Sequence, residues 1–263
     1  MVYNFTLAPL IAWSVLAERA ETVTGWLGRL QAPPAGCTFF NFIASHDGIG
    51  LRPIEDLVDR DEVQLLLHRA EEVGGAWSGY SAPGGPRPYE INVSLADLLA
   101  GVDGAHWPRF VVAHAVMLAV QGVPAFYVHS LFATPGDLET MGRTGHRRDI
   151  NRSMLTLGQI ERRLASGWRS EVFERLQQLI RVRRGQPAFA PTAEQVVHVI
   201  DPRILAIERR VSEQRVLALH NLSSESVELD LPDWAGTTDL VSDTEWPLSQ
   251  GFTLAPWQTA WLT

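Results

Sequence analysis

Lysine is absent: all 22 basic residues of the 263-residue chain are arginines. This excludes Schiff-base chemistry on a lysine and a phosphate loop built around one, and no G-x-x-x-x-G-K-[ST] pattern occurs. Any anion must be held by Arg, His or backbone N–H, and the planar guanidinium fork suits oxyanions. The one cysteine, Cys37, excludes an internal disulfide and points to a reducing compartment, hence the cytoplasm. At the start of a strand it reads as a small core residue. Uncharged apolar runs long enough to span a bilayer are also missing, and Met1-Val2-Tyr3-Asn4-Phe5 carries no basic stretch of a signal peptide. A net charge of −8 argues against nucleic acid or an anionic membrane surface as a partner. Neither a solenoid-type repeat nor a low-complexity tract is present, apart from one Gly/Pro-rich stretch.

With 46% hydrophobic and 20% charged residues, the composition is that of a globular protein with a substantial core. A short strand over 2–5, a broad apolar helix over 8–30 and a strand over 38–45 suggest a βαβ unit in a parallel sheet. Helices follow over 61–73, 95–99 and 109–120, with a second core strand entering at 122–128. The stretch 74–88 holds Gly74, Gly75, Gly79, Gly84 and Gly85 with Pro83, Pro86 and Pro88, and reads as a long loop. Within it Trp77 is expected to fasten the loop to the body, with the role of Tyr80 open. Helices are expected over 155–164 and 170–184, the second ended by Gly185-Gln186-Pro187. Beyond that the period falls to two, with short strands over 196–200, 204–208, 216–220, 227–231 and 259–262. Trp234, Trp246, Trp257 and Trp261 in this region are expected to be core or docking residues.

One stretch has the chemistry of a site. Phe39-Phe40-Asn41-Phe42-Ile43 reads as a buried strand and stops in Ser45-His46-Asp47-Gly48. In α/β proteins ligands bind at the carboxyl ends of strands, so His46 and Asp47 are site candidates there. Asp47 could equally cap a following helix. Metal-dependent His-Asp phosphohydrolase chemistry fits poorly, because the pair ends an apolar strand rather than sitting on a helix among further ligands. Arg143, His146, Arg147, Arg148 and Arg152 form the densest basic cluster, either a solvated face or an anion pocket.

Phe42-Ile43-Ala44-Ser45-His46-Asp47-Gly48-Ile49-Gly50 resembles the fourth conserved region of the α-amylase family, glycoside hydrolase family 13, where it ends the seventh barrel strand. Leu51-Arg52-Pro53 extends the likeness to the sucrose-phosphorylase branch. So do Tyr89-Glu90-Ile91-Asn92-Val93, Gly122-Val123-Pro124-Ala125-Phe126-Tyr127 with His129-Ser130-Leu131, and Arg148-Asp149-Ile150-Asn151-Arg152, in matching order. The resemblance covers essentially the whole chain and implies an α/β fold class. Residues 1–190 would be the C-terminal part of a TIM (β/α)8 barrel, strands six to eight with their helices, and 191–263 a small all-β C-terminal domain. In the family the nucleophilic Asp follows the fourth strand and the acid/base Glu the fifth. The chain alone is therefore expected to be an inactive fragment that needs the missing N-terminal barrel half. Without it, 1–190 is expected to be marginally stable, since an open parallel sheet leaves unpaired edges.

For the intact enzyme the resemblance implies a retaining double displacement that moves glucose from an α-glucoside to inorganic phosphate, giving α-glucose 1-phosphate, with no cofactor and no metal. It makes Asp47 the transition-state stabiliser and has His46 bind a hydroxyl of the same glucose. Arg148 matches the family's phosphate- and acceptor-binding Arg, and Tyr89 and Glu90 lie on the loop that shapes the acceptor site. Typical sucrose phosphorylases have Tyr-Gln at this place; Tyr-Glu resembles relatives acting on sucrose 6′-phosphate, glucosylglycerate or glucosylglycerol. An α-glucosidase or transglucosidase of the same family, and a non-catalytic binding remnant, are the alternatives.

Overall fold

The computed structural model describes residues 1–83, 85–231, 234, 237–245 and 251–263; Trp246 lies outside the described residues. The first part of the chain runs β1 (Val2–Tyr3), α1 (Leu7–Leu16), α2 (Glu21–Arg29), β2 (Phe39–Asn41), β3 (Ile49–Gly50), α3 (Arg60–Glu72), β4 (Ala76–Ala82) and β5 (Gly85–Asn92). It continues with α4 (Leu95–Ala100), α5 (Trp107–Ala119), β6 (Val123–Pro124), α6 (Val128–Leu131), α7 (Leu138–Thr144), α8 (Leu157–Leu164) and α9 (Trp168–Arg184). The remainder is all strand: β7 (Glu194–Asp201), β8 (Ile204–Val211), β9 (Gln214–Asn221), β10 (Val227–Leu229), β11 (Thr238–Asp239), β12 (Thr244–Glu245), β13 (Phe252–Leu254) and β14 (Thr259–Leu262).

β1, β2 and β6 form a parallel sheet in that order, with helices in the chain between successive strands. Asn41 pins the three together from a buried position. It accepts from Asn4 Nδ2 at 3.0 Å and donates to the Gln121 carbonyl at 3.0 Å, which satisfies the polar group where an apolar one would be expected. Gly122 lies across it at φ +135°, where a Cβ would come within 2.7 Å of Asn41 Nδ2. Tyr3 stacks on Phe5, and Phe40 and Phe42 meet them edge-on beside β1; Tyr3 and Phe5 are each 61% exposed.

α1 and α5 are apolar nearly all round and almost wholly buried, as their sequences require. The helix expected over 8–30 is two. Glu18 adopts φ 57°, the Ala20 N–H bonds to the Pro202 carbonyl at 2.7 Å, and the Glu18 carboxylate accepts from Arg109 and from the Ser224 backbone. Tertiary partners override the good helix propensity of Ala17 to Ala20 here. The loop expected over 74–88 is a hairpin: β4 pairs antiparallel with β5 from Ala76↔Asn92 to Ala82↔Gly85, with a bulge between Ser78 and Gly79. Pro86 and Pro88 are tolerated because β3 covers only Glu90 and Ile91, leaving that stretch of β5 with a neighbour on one side alone. Trp77 is fastened, its indole N–H donating to Glu71 at 3.0 Å, and Arg52 lies over the Tyr80 ring. Cys37 is not a core residue: it precedes the shortened strand β2 and its free thiol is exposed.

In the C-terminal region a sheet of order β12-β11-β14-β9-β8-β7 has its central strands β8 and β9 covered on both faces. Leu205, Ile207, Val216 and Ala218 join the core beneath the helices, whereas Ile204, Ala206, Leu217 and Leu219 pack with β10 and β13. The alternation is the period of two that separates a strand's faces. Trp261 is buried against Phe189, while Trp257 lies beneath Arg109 and Trp234 beneath Arg215.

On β8, Glu208 is fully buried and accepts from His198 at 2.7 Å, from Arg215 at 2.7 Å and from Arg210. Burial alone would raise its pKa, but these hydrogen bonds outweigh it and hold it down to about 2. With the folded value below the unfolded one, its contribution to stability is complete above the ordinary range near 4.5 and is lost as the pH falls toward 2. Glu208→Gln should flatten this acid limb, by about 1–2 kcal/mol once the half-exposed arginines are discounted. Urea denaturation at successive pH values measures it; an unchanged limb would assign the acid response to other carboxylates.

Candidate active site

The turn that follows β2 is held by one local bond and by residues more than 100 positions further along the chain. The Asp47 N–H bonds to Ser45 Oγ at 3.1 Å. Asn151 Nδ2 donates to the Asp47 carbonyl at 2.9 Å, and Arg152 Nε to the His46 carbonyl at 3.1 Å. Both come from, or directly follow, the 3-10 turn Arg147–Asn151, which Tyr127 secures by donating its hydroxyl to the Asn151 carbonyl. Asp47 caps no helix, since β3 follows it.

The two carboxylate oxygens of Asp47 differ in surroundings. Oδ1 meets Arg152 Nη2 at 3.0 Å, Arg148 Nη1 at 3.4 Å and His46 Nε2 at 3.6 Å. Oδ2 has no hydrogen-bond partner among the described residues, although the side chain is only 34% exposed. One hydrogen bond from Arg152 and the longer approach of Arg148 thus hold Oδ1, while the other oxygen remains able to accept. Beneath Asp47 is a cavity of about 20 Å³, lined by Ser45, Tyr127, His129, Thr134 and Asn151 among others, with room for about one water molecule. Burial lowers the pKa of His129, which keeps its imidazole neutral at pH 7.

The second carboxylate of the site is Glu90 on β5. Arg148 holds it with two parallel bonds, Nε to Oε1 at 3.1 Å and Nη2 to Oε2 at 2.8 Å, and also donates to the Tyr89 hydroxyl at 2.9 Å. Asn92 Nδ2 adds a bond to Glu90 Oε1 at 2.6 Å. Hydrogen bonding to Glu90 lifts Arg148 above the ordinary guanidinium range, so it is a permanent cation. The basic cluster is therefore neither a plain solvated face nor an open anion pocket. Arg148 is paired with Glu90 and Asp47, Arg152 with Asp47 and Asp149, and Arg147 reaches the Trp77 carbonyl; the exposed Arg143 and His146 lie outside the site. All five sequence candidates, His46, Asp47, Tyr89, Glu90 and Arg148, fall in one cluster. Tyr89 and Glu90 stand on a strand rather than the expected loop. Asn92, Asn151 and Arg152 were part of the motifs but carried no assigned role; only their reach across the fold shows what they hold.

Gly48 makes the close approach possible. A Cβ there would lie 2.4 Å from the Ile91 carbonyl oxygen, 2.5 Å from Glu90 Cγ and 2.6 Å from Asn92 Nδ2. Gly48→Ala should destabilise the protein by about 1–3 kcal/mol, the usual effect of overpacking against backbone. Its melting temperature should fall; a melt equal to wild type would mean that the β3–β5 contact yields freely. Among the described residues no group of three or more His, Cys, Asp or Glu could hold a metal ion, and no helix is long and apolar enough to cross a membrane.

Parallel strands with alternating helices, a His-Asp turn after a strand and a terminal β-sheet are the features expected of part of a (β/α) barrel followed by an all-β region. Residues 195–261 match the maltogenic amylase C-terminal domain family. The structure is similar to sucrose 6F-phosphate phosphorylase from Thermoanaerobacter thermosaccharolyticum, with a TM-score of 0.72 over 84% of this chain and 43% of that one, at 22% identity. In sequence the chain is 33% identical to glucosylglycerate phosphorylase of Escherichia coli, over 100% of this chain and 48% of that protein. It is 30% identical to sucrose phosphorylase of Agrobacterium vitis, over 72% of this chain and 38% of that protein. The chain belongs to the α-amylase family, glycoside hydrolase family 13, in its sucrose-phosphorylase-like branch. It spans about half the length of the curated relatives it matches.

Proposed function

We propose that this chain supplies the glucose-binding wall and the acceptor side of a retaining glycoside phosphorylase, which moves glucose from an α-glucoside to inorganic phosphate and gives α-glucose 1-phosphate. The observation that supports this reading is the divided environment of Asp47, with Oδ1 held by Arg152 and Arg148 and Oδ2 without a hydrogen-bond partner among the described residues. A carboxylate fixed in this way accepts sugar hydroxyls through Oδ2. It binds them more strongly as the ring gains oxocarbenium character and its hydroxyls become more acidic, which is differential binding of the transition state. His46, 66% exposed beside it, is placed to bind a hydroxyl of the same ring. Arg148, Tyr89 and Glu90 form the acceptor side.

The nucleophile and the acid/base group come, in this reading, from an N-terminal barrel half outside these 263 residues that pairs with the sheet of β1, β2 and β6. The exposed Tyr3 and Phe5 would be covered by that half. Three of the matched relatives are glucosylglycerate phosphorylases, and together with Tyr89-Glu90 this favours glycerate over fructose as the leaving group. The free thiol of Cys37 suits a cytoplasmic setting.

The test is reconstitution. The full chain is combined with the N-terminal half of a glucosylglycerate phosphorylase and given glucosylglycerate and phosphate. Glucose 1-phosphate is the expected product. Free glucose would instead indicate a hydrolase, and stable association without turnover a binding remnant; either result overturns the proposal.

A further inference from the structure

One buried carboxylate plays no part in the proposed reaction. Asp97, the third residue of α4, is 5% exposed. Its Oδ2 accepts from the Gly136 N–H at 2.6 Å, and its Oδ1 has no hydrogen-bond partner among the described residues. Burial raises its pKa above the ordinary carboxylate value, against the opposing pull of the Gly136 N–H, Arg169 and Arg69. Both arginines turn Nε to the backbone, Arg69 to the Leu98 carbonyl at 3.0 Å and Arg169 to the Ala133 carbonyl at 3.1 Å. A buried charge with a single hydrogen bond is costly, and a neutral acceptor would serve one N–H with less desolvation. What the charge adds is strength in that one bond.

The bond holds a segment with no regular structure of its own. Residues 132–137 follow α6 as turn and coil, with Ala133 at φ 41°. Besides local bonds to His129 and Ser130, the segment is held by three side chains from elsewhere. Ser94 Oγ donates to the Thr134 carbonyl at 2.7 Å, Arg169 donates to Ala133, and Asp97 takes Gly136. Thr134 and Pro135 line the cavity beneath Asp47. Gly136 lies against Ile150, where a Cβ would come within 2.7 Å of Ile150 Cγ1, and the Asp137 N–H bonds to the Ile150 carbonyl at 2.9 Å. Ile150 belongs to the turn Arg147–Asn151, whose Asn151, with the Arg152 after it, holds Asp47. Short contacts thus run without a gap from α4 through Gly136 and Ile150 to the site. We infer that Asp97 is a positioning residue for Asp47. It anchors 132–137 at Gly136, and through the Asp137–Ile150 bond it fixes the turn that orients the Asp47 carboxylate. The inference rests on the proposed role of Asp47 in glucose transfer.

Asp97→Ala removes the acceptor. In the full chain, hydrogen exchange should become at least about tenfold faster at the amides of Gly136, Asp137 and 149–152, while the amides of β8 and β9 keep their wild-type rates. In the reconstituted enzyme kcat should fall about tenfold, with KM changed by less than about twofold. In an Asp47→Asn background the same substitution should lower kcat by less than about twofold, because the carboxylate it positions is gone. An equal loss in both backgrounds overturns the inference. So does exchange that quickens evenly over the whole chain, or nowhere beyond Gly136. Should Asp97→Ala fail to fold, Asp97→Asn keeps the shape and gives up the charge, and it must show the same local pattern at about threefold or more. If the wild-type reconstituted enzyme forms no glucose 1-phosphate, the proposed reaction fails, and exchange at 149–152 still decides whether Asp97 holds the turn. Conversely, unchanged exchange there in the Asp97→Ala chain would leave the transfer reaction standing.

Discussion

Arg209→Leu is expected to be the most destabilising single substitution in the C-terminal region, at about 3 kcal/mol or more. Arg209 is fully buried and has no ion-pair partner among the described residues. Its guanidinium donates to the carbonyls of Ala119 at 2.9 Å, Ala190 at 2.8 Å, Ala193 at 3.3 Å and Glu194 at 3.3 Å. Burial pulls its pKa down to about 9, which leaves it cationic at pH 7. Beside it Arg183 donates to the carbonyls of Leu118, Gly122 and Phe189. Together the two arginines satisfy orphan carbonyls at the C-terminus of α5, where the helix dipole favours positive charge. They also tie that helix to the segment leading into β7. Leucine fills part of the volume and leaves buried carbonyls without donors. For a chain of this size the melting temperature should fall by roughly 6–12 °C. A fall of less than about 2 °C would mean that water replaces the guanidinium at little cost.

Asp47→Asn should have the largest effect on turnover. In the reconstituted enzyme kcat should fall by about 10²–10³, the scale of losing one preorganised electrostatic contact to the transition state. Asn keeps the shape, and its carbonyl can still accept from Arg152, so the fold should persist. The amide N–H groups, however, would then face the sugar, where a charged acceptor is needed. Because the interaction strengthens in the transition state, kcat should fall more than KM rises. A loss of less than about tenfold in kcat, or one confined to KM, would remove Asp47 from the transition-state role and leave it as a ground-state binder.

The two predictions draw on unlike sources. Asp47 was visible as a candidate because an apolar run stopping in Ser-His-Asp-Gly is a local pattern, and the linked motifs placed it within a family. Arg209 was not: it falls just past the strand expected over 204–208, and its burial depends on carbonyls that include one from a helix that ends 90 residues earlier. The hairpin of β4 and β5 was missed because Gly and Pro usually mark loops. An edge position makes them compatible with a strand, and edge status is a property of the assembled sheet. The break between α1 and α2 was hidden for a similar reason, since Glu18 leaves the helix for partners at Arg109 and Ser224.

The sequence by itself determined the fold class, the strand-end position of His46 and Asp47, and the exclusion of lysine chemistry, because periodicity, composition and short motifs act over a few residues. Only the tertiary structure decided which oxygen of Asp47 is free and which charge Arg148 answers to. Arg152 reaches Asp47 across 105 residues of chain and Arg148 reaches Glu90 across 58. Which carboxylate a guanidinium meets over such separations depends on packing, and a run of arginines is the same string of letters whether its charges are free or already paired.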